Sequence, residues 1–346
     1  GWTVDGEGKA MHKSLGNGMD PYEIMDKYGA DLLRLWAASA DYHADVRCSD
    51  AIFKQLSQNY LKFRNTARYC LGNLDGFDPD QMVSPEDMEE LDRWAITRLN
   101  ALITRCFKAY DDYEFLVVTH AVNDFCVVDM SNFYLDIIKD RLYCEEPDGR
   151  KRRSAQTALF LILDTMTKIM APILAYTCDE IWQSMAHRSS DDSRNVVFND
   201  MNQPFTDYAL PEDAMEKWAL VEKLRDDVNA VLETARAQKK IGKALEAHVA
   251  LHAADDETAK VLMRVAGLNL AELFIVSECS ISNADPAADS VVGQGTAFPG
   301  LTVEVREATG AKCERCWMQS ATVGDDADHP TLCARCAAVV RNLPQF

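Results

Sequence analysis

The chain has 346 residues, of which 47% are hydrophobic, and a formal net charge of −19. Its length allows about two or three folded domains, and no run of roughly eighteen apolar residues predicts a membrane span. The acidic balance argues against a protein that binds nucleic acid over its whole surface, and limits RNA contact to a local basic face. Seven of the eleven cysteines are scattered through apolar contexts. Because such cysteines are typical of reduced, buried thiols, we predict a cytoplasmic protein.

A short polar loop near the start of the chain is the first candidate site. It reads Gly8-Lys9-Ala10-Met11-His12-Lys13-Ser14-Leu15-Gly16-Asn17, and Asp20-Pro21 follows it as a helix start. A cationic loop that leads into a helix N-terminus suits a bound phosphate. The spacing is not that of a Walker loop, and a solvated turn is the plainer alternative.

This loop resembles the KMSKS signature loop of class I aminoacyl-tRNA synthetases, and residues 29–42 resemble the isoleucyl branch of that family. The resemblance implies that Met11, His12, Lys13 and Ser14 form part of the catalytic site for ATP and pyrophosphate. Lys13 would neutralise charge on the leaving pyrophosphate as the aminoacyl-adenylate forms. Ala10 and His12 depart from the signature at its first lysine and first serine. Lys9, one position early, is a candidate replacement for the missing lysine.

Long stretches with apolar residues every three or four positions predict amphipathic helices joined by short turns. After two short helices at 21–28 and 30–39, they are expected at 50–71, 84–110, 115–143, 150–171 and 173–185. Such a succession indicates a helical bundle, so the predicted fold class is mainly α. The stretches 59–68 and 131–136 again resemble the isoleucyl family, in which this bundle carries the anticodon-binding surface.

Basic side chains lie off the apolar stripe of the first long helix. They follow one helix edge, which can contact an RNA backbone or remain a solvated face. The resemblance of this stretch favours RNA, and makes Arg64 and Arg68 candidate tRNA-binding residues. A second basic run at 150–153 leaves RNA contact and ordinary helix-end charge both open.

The pattern changes after a polar connector at 187–211, in which a short strand is expected at 196–198. A helix at 212–240, a helix at 255–265 and strands at 247–252, 272–276 and 302–305 predict a small α/β unit. Residues 235–247 resemble the turn that joins helix and strand in the C-terminal region of the isoleucyl family. Lys239 and Lys240 are therefore candidate tRNA contacts, with a solvated helix end as the alternative.

Four cysteines near the end have metal-ligand spacing: Cys313, Cys316, Cys333 and Cys336 form Cys-x₂-Cys-x₁₆-Cys-x₂-Cys. Four thiolates in two knuckles suit tetrahedral Zn²⁺ in a zinc ribbon, although a disulfide pair or a rubredoxin-type iron centre would use the same residues. A four-thiolate site leaves no position for water, so we expect one structural zinc. Trp317 follows the second thiol, and either stacks on an anticodon base or packs over the knuckle.

The resemblance extends over essentially the whole chain, and implies the C-terminal portion of a bacterial-type isoleucyl-tRNA synthetase. It divides the chain into the signature loop with connecting helices (1–48), the anticodon-binding bundle (49–211), the small α/β unit (212–308) and the zinc-binding module (309–346). The complete enzyme would form isoleucyl-adenylate from ATP and isoleucine, and transfer the isoleucyl group to tRNA. Because no His-x-Gly-His motif occurs, we expect the catalytic body to lie upstream of Gly1. This chain alone would then bind the anticodon arm of isoleucine tRNA without catalysis.

Two alternatives remain open. The first is a sister class I synthetase of the valyl, leucyl or methionyl type. The second is a non-catalytic helical scaffold whose zinc ribbon contacts other proteins. The net charge favours a scaffold, whereas a scaffold has no use for the Lys13-Ser14 pair.

Overall fold

A computed structural model describes residues 1–343, so the last three residues of the predicted zinc-binding module lie outside the described part. Its first half consists of helices with two short strands among them, in the order β1 (Thr3–Val4), α1 (Pro21–Tyr28), α2 (Ala30–Ala38), β2 (Val46–Arg47), α3 (Asp50–Asn73), α4 (Glu90–Asp111), α5 (Phe115–Asp124), α6 (Leu135–Ile137), α7 (Lys139–Cys144), α8 (Arg150–Met170) and α9 (Ala175–Ser184). A π-helix at Phe125–Tyr134 connects α5 and α6. Helix starts follow the sequence signals: the side chains of Asp20 and Ser49 accept backbone hydrogen bonds as N-caps of α1 and α3.

The second half contains the sheet and the zinc module. Its elements are α10 (Glu212–Ala237), β3 (Ala247–Ala253), α11 (Asp256–Val265), α12 (Leu270–Phe274), β4 (Glu278–Ile281), β5 (Val291–Gln294), β6 (Leu301–Glu307), β7 (Ala311–Lys312), β8 (Gln319–Ser320) and α13 (Ala334–Asn342). Short 3₁₀ turns occur at Lys13–Leu15, Pro79–Gln81, Val196–Phe198, Thr206–Tyr208 and Ala244–Glu246. Among residues 1–343, no helix has both the length and the apolar character needed to cross a membrane.

Two of the expected strands are wrong. The run expected as a strand at 272–276 is the helix α12, because Asn269 caps it and Leu270, Leu273 and Phe274 are buried at helical spacing. The strand expected at 196–198 is a 3₁₀ turn, since the side chain of Asn195 accepts a hydrogen bond from the backbone N–H of Val197.

Two of the expected long helices differ from the prediction: one begins later and the other is interrupted. The helix expected from residue 84 begins only at Glu90, because Ser84 to Asp87 form a turn closed by a backbone hydrogen bond. The helix expected at 115–143 changes to π-helix at Phe125, where the hydroxyl of Ser131 donates to the carbonyl of Cys126 at 2.7 Å. Such a side-chain bond spans the five-residue step of a π-helix.

The chain forms two compact units. The first comprises residues 1–136 and 153–209, and the second comprises residues 137–152 and those from Leu210 onwards. The first unit is a helical bundle with a core that includes Phe53, Trp94, Phe160 and Trp182. In this unit β1 and β2 form a short parallel pair beside the signature loop.

The first unit also holds a buried ionic cluster, defined by Asp164, Lys168, Arg188 and Asn202. The Asp164 carboxylate is fully buried and lies 3.0 Å from the Lys168 ammonium and 3.1 Å from the Arg188 guanidinium. The Asn202 amide donates to the same carboxylate at 2.7 Å. Because each buried charge faces an opposite charge, the cluster ties the connector after α9 to α8 without an unpaired ion.

The second unit is built around a four-stranded sheet with the order β4-β3-β6-β5. Strand β3 runs parallel to β4 and antiparallel to β6, with Val249 opposite Cys279 on one side and Val305 on the other. Helix α10 packs on β5 and β6, α11 on β3, and α12 on β4. The described fold is mainly α with a small sheet unit and a C-terminal cysteine cluster, as the sequence predicts.

Candidate nucleic-acid interface and metal centre

The four predicted metal ligands are brought together at the end of the second unit. Cys313 and Cys316 lie on the β7–β8 hairpin, whereas Cys333 and Cys336 lie at the start of α13. All four are buried, and their Sγ atoms lie within 4.8 Å of one another. A tetrahedral Zn²⁺ with bonds of about 2.3 Å places its thiolates roughly 3.8 Å apart. The Sγ atoms of Cys316 and Cys333 are 3.9 Å apart, which fits zinc and is far too long for a disulfide.

Backbone groups favour the thiolate of Cys313, whereas burial raises the pKa of Cys316 and of Cys336. Burial acts to raise the pKa of Cys313, but backbone N–H groups of Cys316, Cys333 and Arg315 outweigh it and lower this pKa to about 6. The Arg315 guanidinium also lies 3.9 Å from the Cys336 sulfur. A positive charge at this distance offsets part of the excess negative charge of four thiolates around one Zn²⁺.

Arg315 and a second arginine, Arg335, anchor the cysteine knuckles within the second unit. Arg315 donates to the carbonyl of Cys144, and Arg335 donates to the carboxylate of Asp140 at 2.7 Å. Asn342, at the end of α13, donates to the carboxylate of Glu146 at 2.6 Å. The knuckles are therefore fixed to residues 137–152 by polar contacts as well as to the metal.

Trp317 directly follows Cys316 in the first knuckle, and 56% of its surface area is exposed. The ammonium groups of Lys243 and Lys312 lie over its ring, at 5.5 and 5.8 Å from the ring centroid. Its backbone has φ = 65°, which is uncommon for a bulky residue. We name the exposed ring and its two lysines the tryptophan platform. The sequence does not reveal the two lysines as its partners, because only folding brings residue 243 to residue 317.

The predicted contacts Lys239 and Lys240 lie in the turn after α10, which we name the basic turn (residues 239–243). The N–H of Lys240 bonds to the carbonyl of Ala235 at 2.9 Å, and Lys239 has φ = 58°, the arrangement of a Schellman cap. Glycine is usual at that position, so a lysine there carries a backbone cost of about 1–2 kcal/mol. Lys239 is exposed and Lys240 is half-buried.

One carboxylate organises this turn. Glu246 Oε2 accepts hydrogen bonds from the N–H groups of Gly242, at 2.7 Å, and Lys243, at 3.2 Å. These two bonds are the main reason that the pKa of Glu246 is lowered. Glu246 thus fixes the backbone of Lys243, whose ammonium group lies over the ring of Trp317.

The signature loop lies in the first unit. Asn17 closes it: the side-chain oxygen of Asn17 accepts from the N–H of His12 at 2.9 Å, and its amide donates to Asp5 at 2.8 Å. Lys13 and Ser14 are exposed in a 3₁₀ turn, and Lys13 forms no ion pair with any carboxylate among residues 1–343. This leaves the Lys13 ammonium available to an anionic ligand.

Neighbouring residues of the loop are placed differently. Met11 packs against the cluster of Ile24, Cys48 and Phe53, and so anchors the loop to the first unit. Lys9 pairs with Glu7 at 2.8 Å, although both side chains are largely exposed. Such an exposed pair contributes little and leaves Lys9 able to move.

The remaining basic candidates lie on helices. Arg64 and Arg68 are exposed along α3, as the periodicity predicts. In the run at 150–153, by contrast, Arg152 donates to the carbonyls of Leu142 and Pro147, and Arg153 donates to the carbonyl of Gly76. Those two arginines support the backbone, which favours ordinary helix-end charge over RNA contact for this run.

Comparison with known proteins gives three family matches. Residues 1–49 match the family described as tRNA synthetases class I (I, L, M and V), and residues 92–251 match the anticodon-binding domain of tRNA ligase. Residues 310–339 match the zinc finger found in FPG and IleRS. The isoleucine--tRNA ligase of Syntrophotalea carbinolica is 47% identical over 98% of this chain and 36% of its own length. The chain matches isoleucyl-tRNA synthetases over almost its whole length. The corresponding protein of Caldanaerobacter subterraneus is 45% identical, again over 98% of this chain and 36% of its own length.

The chain therefore spans about a third of the length of these isoleucyl-tRNA synthetase relatives. A solved LeuRS–tRNA–LeuAMS ternary complex of Agrobacterium radiobacter K84 is 18% identical, with a TM-score of 0.43 over 61% of this chain and 24% of that chain. This similarity is too low to establish a shared fold. The family match confirms the resemblance that the signature loop, bundle and cysteines indicate. The zinc-finger match and the cysteine cluster confirm the predicted structural zinc.

Proposed function

We propose that this chain binds the anticodon arm of isoleucine tRNA as part of an isoleucine–tRNA ligase. The complete enzyme would form isoleucyl-adenylate from ATP and isoleucine, and transfer the isoleucyl group to tRNA. The tryptophan platform carries the proposal: an exposed ring framed by two lysines, in a chain with a net charge of −19, is a local site for an unpaired base and its phosphate. The family match to an anticodon-binding domain supports the same reading.

The energies of the competing contacts favour base stacking at the platform. A lysine over an exposed aromatic ring contributes about 0.5–1 kcal/mol, whereas base–aromatic stacking contributes about 1–3 kcal/mol. An arriving base therefore displaces an ammonium from the ring face. The displaced Lys243 or Lys312 then stays close enough to pair with the adjoining phosphate.

The other candidate residues take distinct roles in this proposal. Lys239 and Lys240 contact phosphates beside the platform, and Arg64 and Arg68 contact the RNA backbone along α3. In the complete enzyme, Lys13 stabilises the pyrophosphate, with Ser14, His12 and Met11 shaping the ATP site around it. His12 and Ala10 replace signature residues, so the loop relies on one signature lysine and, when its pair with Glu7 opens, on Lys9.

We further propose the four-part division at residues 1–48, 49–211, 212–308 and 309–346, and a cytoplasmic location. The location is supported by the cysteine chemistry, because a four-thiolate zinc centre requires reduced cysteines. The sequence supports the division, since the signature loop, the helical periodicity, the strand alternation and the cysteine knuckles follow one another along the chain.

The platform is tested with Trp317→Ala. We expect the dissociation constant for isoleucine tRNA to rise about tenfold or more, because the stacking surface is lost. Trp317→Phe should retain most of the affinity. The matched control is Trp2→Ala, which removes an exposed tryptophan of the first unit. Affinities are measured by filter binding at fixed salt. Unchanged affinity of the Trp317→Ala variant would remove the platform from the binding surface.

A further inference from the structure

The basic turn and the hairpin that carries Trp317 are distant in sequence, but hydrogen bonds through one side chain join them. The hydroxyl of Ser277 donates to the carbonyl of Leu245 at 2.5 Å, beside the basic turn. The same hydroxyl accepts from the N–H of Gln319 at 2.7 Å, on strand β8 of the zinc module. One side chain therefore joins the 3₁₀ turn at Ala244–Glu246 to the hairpin that carries Trp317.

Glu246 completes the connection from within the same 3₁₀ turn. Its carboxylate accepts the N–H groups of Gly242 and Lys243, and its own N–H donates to the carbonyl of Lys243 at 3.0 Å. Lys243 in turn reaches the ring of Trp317. These contacts form a closed loop. One side runs from Glu246 through Lys243 to Trp317, and the other returns from Gln319 through Ser277 to Leu245.

We propose that Glu246 and Ser277 are positioning residues, which hold the basic turn and the tryptophan platform as one rigid surface for single-stranded RNA. This inference rests on the proposed function, and adds to it two residues that need not touch the RNA. A carboxylate beside Lys243 and Lys312 opposes an arriving phosphate, so its contribution to binding comes from the order it imposes on the turn.

The test separates the hydrogen bonds of Glu246 from its charge. In Glu246→Gln the side-chain carbonyl still accepts from the turn, and the negative charge is gone. In Glu246→Ala both the acceptor and the charge are lost. We expect Glu246→Ala to weaken binding of isoleucine tRNA by about tenfold, although it removes an opposing charge, because the turn must then be ordered during binding. Glu246→Gln should bind at least as tightly as the unaltered chain.

Ser277→Ala provides a second variant, since it disconnects the turn from the zinc hairpin without changing the net charge. We expect binding to weaken about five- to tenfold. The matched control is Ser290→Ala, which removes another serine hydroxyl bonded to a backbone carbonyl in the same unit. Zinc content and thermal unfolding of each variant are measured alongside, and should match those of the control.

A readout without RNA makes the result independent of the proposed function. Amide hydrogen exchange at Gly242 and Lys243 should accelerate in Glu246→Ala and remain slow in Glu246→Gln. Equal or tighter RNA binding by Glu246→Ala, or unchanged exchange at both amides, would overturn the positioning role. If the unaltered chain binds no tRNA while exchange responds as expected, the proposed function fails and the rigid turn stands.

Discussion

Replacing Cys336 with serine should reduce bound zinc from one ion per chain to less than about a tenth of an ion. The expected loss is large because structural zinc sites contribute roughly 10–16 kcal/mol of apparent binding free energy, and a missing thiolate removes one of four ligands. Cys336 is fully buried among the other three thiolates, so no water reaches its position without opening the knuckle. Atomic emission spectroscopy of the purified chain measures the metal.

Cys279→Ser is the matched control for this variant. Cys279 lies on β4 in the same unit and outside the cysteine cluster. The Cys279→Ser variant should retain one zinc ion per chain. Full zinc occupancy in Cys336→Ser, or iron in place of zinc in the unaltered protein, would contradict the assignment of a structural zinc centre.

Loss of zinc should also release the tryptophan platform. Trp317 directly follows Cys316, and its N–H bonds to the carbonyl of Cys313 at 2.9 Å. When the knuckle opens, this hydrogen bond breaks, and the Trp317 ring moves away from the ammonium groups of Lys243 and Lys312. The zinc would therefore support RNA binding through the backbone of the knuckle, without touching RNA itself.

Replacing Asp164 with alanine should destabilise the helical bundle by about 3–5 kcal/mol. The fully buried carboxylate is the shared partner of Lys168 and Arg188. Without it, two cations remain in a buried site, with the more distant Asp191, 3.8 Å from the Lys168 ammonium, as a weaker partner. Urea unfolding, followed by circular dichroism, measures the change in the free energy of unfolding.

The control for the ionic cluster is an exposed ion pair of the same type. Asp192 pairs with Arg194 at 2.6 Å, and the arginine is largely exposed. Removing Asp192 by substitution with alanine should change the free energy of unfolding by less than about 1 kcal/mol. If the Asp164→Ala variant loses no more than the Asp192→Ala variant, the cluster does not hold the connector to α8.

Local signals in the sequence account for the features that were predicted well. The caps at Asp20 and Ser49 and the apolar spacing of α3 specify helices without tertiary context. The cysteine spacing likewise specifies two knuckles and four thiolates, because only nearby residues shape each knuckle. These local signals do not depend on which distant segments meet in space.

Other features depend on contacts between distant segments. The run at 272–276 is short and apolar, and such runs do not distinguish a strand from a buried helix. Strand β5, with Gly293 in its middle, is recognised only through its pairing with β6. The roles of Glu246 and Ser277 also arise from folding, since Ser277 connects a carbonyl at residue 245 to an amide at residue 319.

The most direct test of the proposed anticodon binding is tRNA binding by this chain, with isoleucine tRNA compared with valine tRNA, before and after zinc is removed with a chelator. We expect isoleucine tRNA to bind at least about tenfold more tightly, a difference of roughly 1.4 kcal/mol. Chelation should abolish that preference, and added zinc should restore it. Equal affinity for the two tRNAs, or an isoleucine preference that survives complete removal of zinc, would contradict an anticodon-reading surface organised by the zinc module.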